Sequence, residues 1–282
     1  MIPSTLLFGA TSMLGFQLAR QFPDVVLPFI SPGNTAPSVR QWPVLQLDDS
    51  AWCENLFRRR QPSLLLYVHA VCDVPKCEAS PEWAYEMNVR QVERVLRTLP
   101  ENTRLVYVSS DHVFGGDGIY HEQSPACPIS VYGRTRVKAE QVVLQRSGTL
   151  VIRAGLGIGQ SPNGRTGHLD WLRYRTKRRL PITIIEDEYR SVVWQWDLAR
   201  RVMQLARSDE VGICHIPATQ AVSRVALAHF LNTHYGIDAT FSVESRHQQL
   251  TPHLGSVELA SMYQGKLFRP LPSVLDGKCQ LV

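Results

Sequence analysis

None of the six cysteines in this 282-residue chain, Cys53, Cys72, Cys77, Cys127, Cys214 and Cys279, forms a C-x-x-C pair. Neither a metal site nor a disulfide framework is visible in their spacing, and they read as reduced thiols of a cytoplasmic protein. No apolar run approaches the ~18 residues of a membrane helix, and the few residues before the first apolar run leave no room for a signal peptide. Internal repeats and low-complexity segments are missing too. The formal charge of +5 suits an anionic ligand, but the cations are scattered apart from Arg58-Arg59-Arg60 and Lys177-Arg178-Arg179. Both triplets fall near the ends of expected helices, where cations complement the macrodipole, and no nucleic-acid module is present. The expectation is a protein with no nucleic-acid and no membrane partner.

What is there is an alternation of strand and helix. Apolar runs suited to buried parallel strands occur at 5–8, 25–30, 44–47, 64–68, 105–108 and 150–152, with helical periodicity at 12–22, 50–60, 81–98 and 130–146. With 44% hydrophobic residues the chain can bury a large core. This pattern predicts an α/β fold: a Rossmann-type doubly wound parallel sheet with a smaller C-terminal substrate lobe. A dinucleotide-binding domain is expected over 1–154, with 190–218 returning to it, and 155–282 mainly forms the substrate-binding lobe. The change of texture after Arg153, into a glycine-rich connection, sets that boundary.

The first strand runs into Gly9-Ala10-Thr11-Ser12-Met13-Leu14-Gly15. In such a strand–turn–helix, Gly9 permits the reversal, backbone N–H groups at Thr11, Ser12, Met13 and Leu14 face a diphosphate, and Gly15 lets helix and strand pack closely. The usual middle glycine is replaced by Ser12, whose hydroxyl can donate to the diphosphate or cap the helix. The second strand ends in Ser31-Pro32-Gly33 without the acid that signals NAD, which favours NADP over NAD. Asp48 and Asp49 follow the third strand, where a carboxylate can accept from an adenine amino group or cap the next helix.

Two segments carry chemistry. Val106-Tyr-Val-Ser-Ser110 reads as a buried strand ending in the hydroxyls of Ser109 and Ser110, and Tyr132-Gly-Arg-Thr-Arg136 places a phenol one helical turn before a cation. The cation shares the helix face and can bring the phenol pKa toward neutrality, which makes an acid/base site for carbonyl–alcohol chemistry. Lys138 lies ~200° around the helix from Arg136 and faces elsewhere. Trp194 and Trp196 are expected to pack against the sheet.

Together these residues resemble the extended short-chain dehydrogenase/reductases, most closely the dTDP-4-dehydrorhamnose reductase group. The likeness includes Gly9 to Gly15, Val68-His-Ala-Val-Cys-Asp-Val-Pro-Lys-Cys-Glu78, Ala84-Tyr-Glu-Met-Asn-Val89, Ser109-Ser-Asp-His-Val-Phe-Gly115, Ile185-Glu-Asp-Glu-Tyr-Arg-Ser191, Asp197-Leu-Ala199 and Arg269-Pro-Leu-Pro-Ser-Val-Leu-Asp276. It implies catalytic roles for Ser110, Tyr132 and Arg136, with Arg136 standing where the group has lysine. It further implies that His69, Ala70, Val71, Asn88 and Ser109 join the turn, Tyr132 and Arg136 around an NADP or NAD cofactor. His112, where the group has tyrosine, and Arg269 would contact the substrate, with Arg165, Arg190 and Lys266 as secondary candidates.

The implied activity is an NAD(P)-dependent oxidoreductase reducing a keto group of a nucleotide sugar, with no metal. A non-catalytic dinucleotide-binding regulatory subunit and a nucleotide-sugar epimerase or dehydratase are the alternatives, and a homodimer or a partner enzyme suits either. The chain ends six residues after Asp276, where the group usually continues into a terminal helix.

Overall fold

The computed structural model describes residues 4–277, so Cys279 lies outside the described residues. Six parallel strands form the main sheet: β1 (Thr5–Phe8), β2 (Val26–Phe29), β3 (Leu64–Tyr67), β4 (Arg104–Ser110), β6 (Leu150–Ala154) and β10 (Gly212–Ile216), in the order β10-β6-β4-β3-β1-β2. Every residue of β1, β3 and β6 is buried, which is why these strands read as continuous apolar runs rather than alternating ones.

Alternate strand residues feed two cores. Leu7, Leu66, Val106 and Ile152 point to the face covered by α1 (Met13–Gln21) and α8 (Gln195–Ala206). Leu6, Phe8, Leu65, Tyr67, Tyr107 and Val151 point to the face covered by α2 (Ser50–Arg60), α5 (Gln91–Thr98) and α6 (Val131–Val143). Helices on both faces make the sheet Rossmann-type and doubly wound. The helical period at 81–98 resolves into α4 (Pro81–Tyr85), a π-helical turn Glu86–Arg90 and α5, preceded by α3 (Val74–Ala79).

The strand expected at 44–47 is reduced to a single parallel bridge, Ile30↔Val44. Pro28 and Pro43 each remove an amide donor at this edge, and Val44 is exposed, so the ladder beyond β2 has little to hold it.

A second sheet is gathered from distant segments: β5 (Gly118–Tyr120), β7 (Leu156–Ile158), β9 (Tyr189–Trp194), β11 (Ala221–Ser223) and β13 (Ser256–Leu259). Its neighbours are α7 (His168–Lys177), α9 (Arg224–Tyr235) and the small pair β8 (Thr183–Ile185) and β12 (Ser242–Glu244). Leu169, Leu172, Ile184, Val192, Trp194, Val222, Leu227 and Leu231 form a separate core there. No helix among the described residues is long and apolar enough to cross a membrane.

Candidate active site

Gly9 turns the chain at φ +93°, and a Cβ on it would lie 2.5 Å from the His69 amide nitrogen, so the end of β1 passes hard against the residues that follow β3. A Cβ on Gly15 would collide with the Gly9 carbonyl, which is how α1 comes to start directly over the turn. Ser12 caps that helix: its hydroxyl accepts from Gly15 N–H at 3.0 Å and donates to the Gly9 carbonyl at 2.9 Å. The serine therefore turns its hydroxyl back into the loop. Leu14 is buried in the core, and Met13 lays its side chain against Gly167. Thr11 and Ser31 join hydroxyls at 2.9 Å, and Ser31 also meets Nδ1 of His69 at 3.3 Å, linking the ends of β1, β2 and β3.

Asn88 braces the same region. Its Oδ1 accepts from Val71 N–H at 2.8 Å, and its Nδ2 donates to the Val71 carbonyl at 3.1 Å and to Thr135 Oγ1 at 2.9 Å. The segment His69, Ala70, Val71 is thus pinned to α6. Asp49 caps α2, accepting from Ala51 and Trp52 N–H, and Asp48 accepts from Arg94 at 3.0 Å. Both carboxylates have structural partners.

Ser130 and Glu78 hold the start of α6, accepting from Gly133 N–H at 3.0 Å and Val131 N–H at 2.6 Å. At Gly133 the helix touches the His112 carbonyl, and this close approach sets the Tyr132 ring edge-on to His112 with centroids 5.1 Å apart. Tyr132 is buried, and Ser110 is near enough to lower its phenol slightly. Burial pushes its phenol up to about 12, and Arg136 is the largest influence pulling it back down. The shift toward neutrality expected from the cation is outweighed by loss of water, so Tyr132 is a protonated acid at neutral pH.

Arg136 is 2% exposed, stands 4.7 Å over the Tyr107 ring and donates to the Val108 carbonyl through Nη2. Its Nε and Nη1, and the Ser109 hydroxyl, are buried without a partner among the described residues. Lys138 is exposed.

On the other side of Tyr132 the two sheets meet. Ser110 donates to Asp111 Oδ1 at 3.0 Å and accepts from His112 N–H at 3.3 Å. Asp111 is fully buried and receives Arg190 from β9 at both oxygens, Nε reaching Oδ2 at 2.8 Å and Nη2 reaching Oδ1. Arg190 also faces Glu188 at 3.7 Å, and Glu188 binds Arg224 at 3.2 Å and His253 at 3.1 Å. Burial would raise Glu188, but Arg224, the His253 hydrogen bond and Arg190 hold it well below the usual carboxylate range. Burial, then Arg190, lowers His112 to about 4, so its ring is neutral.

Of the expected substrate contacts, Ser110 and His112 adjoin Tyr132, and the cation brought to them is Arg190. Arg269 is exposed, and its carbonyl accepts from Arg201 of α8 at 2.8 Å. Arg165 and Lys266 are exposed as well. Glu188, Arg224 and His253 were not legible, since each is separated by many residues from the others it joins; the alternation Glu186-Asp-Glu-Tyr-Arg190 on a strand was the available signal. Among the described residues no cluster of histidine, cysteine and carboxylates is placed to hold a metal ion.

A dinucleotide fits these residues. Ser12 N–H, expected to face a diphosphate, instead donates to the Gly9 carbonyl at 3.0 Å, while Gly9 and Ala10 N–H donate to the Phe29 carbonyl. The N-terminus of α1 still opens at this turn, and Nε and Nη1 of Arg136 are donors without protein acceptors among the described residues, which a ribose hydroxyl would satisfy. A sequence profile described as the RmlD substrate binding domain matches residues 4–279. The chain belongs to this family. Similar proteins include the dTDP-4-keto-6-deoxy-D-glucose reductase of Streptomyces niveus, 28% identical over 74% of this chain and 71% of the relative. Another is methionine adenosyltransferase 2 subunit beta of Xenopus laevis, 30% identical over 56% of this chain. The chain spans about half the length of that relative, 48%. The fold is shared with the dTDP-4-dehydrorhamnose reductase of Bacillus anthracis, solved in complex with NADP, at a TM-score of 0.80 and 20% identity over 97% of this chain and 96% of that one.

Proposed function

We propose that the protein is an NAD(P)-dependent reductase of a keto group in a nucleotide sugar. The observation that carries this reading is Tyr132: a buried, protonated phenol beside the Ser110 hydroxyl, on a helix whose next turn brings Arg136. A nicotinamide held along the Gly9 turn and Arg136 supplies a hydride to the ketone carbon when bound. Tyr132 gives its proton to the ketone oxygen, and the Ser110 hydroxyl donates to the same oxygen as charge develops on it. The product is a secondary alcohol. Arg136 then stabilises the phenolate left behind, and as a guanidinium it cannot itself give up a proton.

The end of β2 favours NADP, since Ser31 presents no carboxylate to repel a 2′-phosphate. The nucleotide-sugar substrate enters between the two sheets, beside Ser110 and His112. The free thiols Cys53, Cys72, Cys77, Cys127 and Cys214 support a reducing, cytoplasmic setting.

The test is NADPH oxidation by the purified protein with dTDP-4-keto-6-deoxy-D-glucose and a panel of other keto nucleotide sugars. Tyr132→Phe is expected to lower turnover by about 10²–10⁴-fold without changing NADPH affinity. No substrate-dependent oxidation across the panel overturns the reading.

A second reading, a dinucleotide-binding regulatory subunit, is favoured by Arg136, which stands where the group has lysine and holds its Nη2 on the Val108 carbonyl above the Tyr107 face. Arg136→Lys separates the two: turnover rises if position 136 limits an enzyme, whereas tight NADPH binding with turnover still at zero supports the subunit.

A further inference from the structure

The hydroxyl of Ser110 has one proton, and in this structure Asp111 holds it. Donation to a ketone oxygen requires that proton to be released. A buried carboxylate with no counter-charge is a strong acceptor, and it would keep the serine turned away from the substrate. Asp111 is not in that condition, because Arg190 clamps both of its oxygens, and the oxygen that Ser110 touches is also bound by Nη2 of Arg190. The two residues come from different sheets, Asp111 from the turn that ends β4 and Arg190 from β9. Glu188, with Arg224 and His253 behind it, orients the guanidinium from its far side.

We propose that Arg190 is a positioning residue that weakens the hold of Asp111 on the Ser110 proton and so frees the hydroxyl to serve the reacting carbonyl. The inference rests on the reductase reading. It assigns the cation no contact with substrate: Arg190 is 6% exposed and its fork is spent on the two carboxylates. Asp111 in turn is the acceptor that parks the serine between turnovers, and the strength of that parking is set from the opposite lobe.

The experiment compares Arg190→Met with the double variant Arg190→Met/Asp111→Asn, using NADPH and dTDP-4-keto-6-deoxy-D-glucose. The single variant leaves Asp111 without its counter-ion and is expected to lower kcat on the order of a hundredfold, the effect of losing one donor to the developing oxyanion, with KM and NADPH affinity little changed. The double variant also removes the carboxylate and is expected to recover kcat to within about tenfold of the parent. A structural role alone would leave the double variant at least as impaired as the single one. If the single variant does not fold, Arg190→Lys, which keeps the charge but not the two-pronged contact, takes its place in the comparison. Undiminished kcat in the single variant, or a folded double variant as slow as the single, overturns the proposal while leaving the reductase reading intact. A parent protein that turns over none of the panel overturns the reading beneath it.

Discussion

A side chain at Gly9 would place its Cβ 2.5 Å from the amide nitrogen and 2.6 Å from the Cα of His69, both backbone atoms that cannot move aside. Gly9→Ala also forces alanine to φ +93°, so it is expected to destabilise the protein by more than about 1 kcal/mol. Dinucleotide affinity falls with it, since β1 must withdraw from β3. Thermal unfolding and calorimetric titration with NADPH read both effects, and an unchanged melting temperature would contradict the packing described.

Ser12 offers the opposite case. Because its hydroxyl caps α1, Ser12→Ala is expected to cost about 1 kcal/mol and Ser12→Gly only a few tenths. Neither removes a ligand contact made by the hydroxyl, so NADPH affinity should stay within about threefold of the parent in both, well under the tenfold that 1.4 kcal/mol represents. A sharp gain in affinity with glycine would mean that the serine crowds the diphosphate and would contradict a capping role alone.

At Ser31 the prediction concerns cofactor choice. Ser31→Asp introduces the acid that binds ribose hydroxyls and repels a 2′-phosphate, and it should shift the NADPH-to-NADH preference toward NADH by at least about tenfold. Steady-state rates with the two cofactors measure the shift. Unaltered preference would show that the end of β2 does not read the ribose.

Buried histidines make the fold acid-sensitive. His112 and His215 are both lowered to about 4, chiefly by burial, from an ordinary value of 6.5. The folded state keeps these rings neutral while the unfolded chain takes up protons, so stability is complete above pH 6.5 and declines as pH falls from there toward 4. Each ring contributes up to about 1.4 kcal/mol per pH unit across this window, less for the partly open His112. Glu188, held low, adds its loss only below the ordinary carboxylate range. Melting temperatures recorded from pH 7.5 to 5 should drop steadily below 6.5, and His215→Phe should flatten the slope. A flat profile in the parent would exclude neutral burial.

Most of the main sheet could be read from the chain because β1, β3, β4 and β6 are buried on both faces, and an unbroken apolar run has one economical explanation. The run at 44–47 misled for the same reason, since apolar content does not report the missing amides of Pro28 and Pro43. The turn from Gly9 to Gly15 and the Tyr132–Arg136 pair were legible because each is local, a few residues on one element. The Asp111–Arg190 clamp was not. Its partners lie 79 residues apart and meet only because β9 belongs to the second sheet, a relation that no local periodicity encodes. Arg190 read as a secondary candidate for substrate contact, not as the partner of Asp111, whereas Arg269, singled out by its surroundings, is tied through its backbone to the α8 side of the molecule.

The scattered origin of the second sheet has a consequence for biosynthesis. Ser110 and Asp111 leave the ribosome long before Arg190, and at about 5–20 residues per second the interval of 79 residues lasts roughly 4–16 s. Strand β13, which lies between β5 and β9, arrives later still. The nascent main sheet thus passes through a stage in which Asp111 lacks Arg190, and the clamp beside Ser110 closes only once the second sheet has been synthesised.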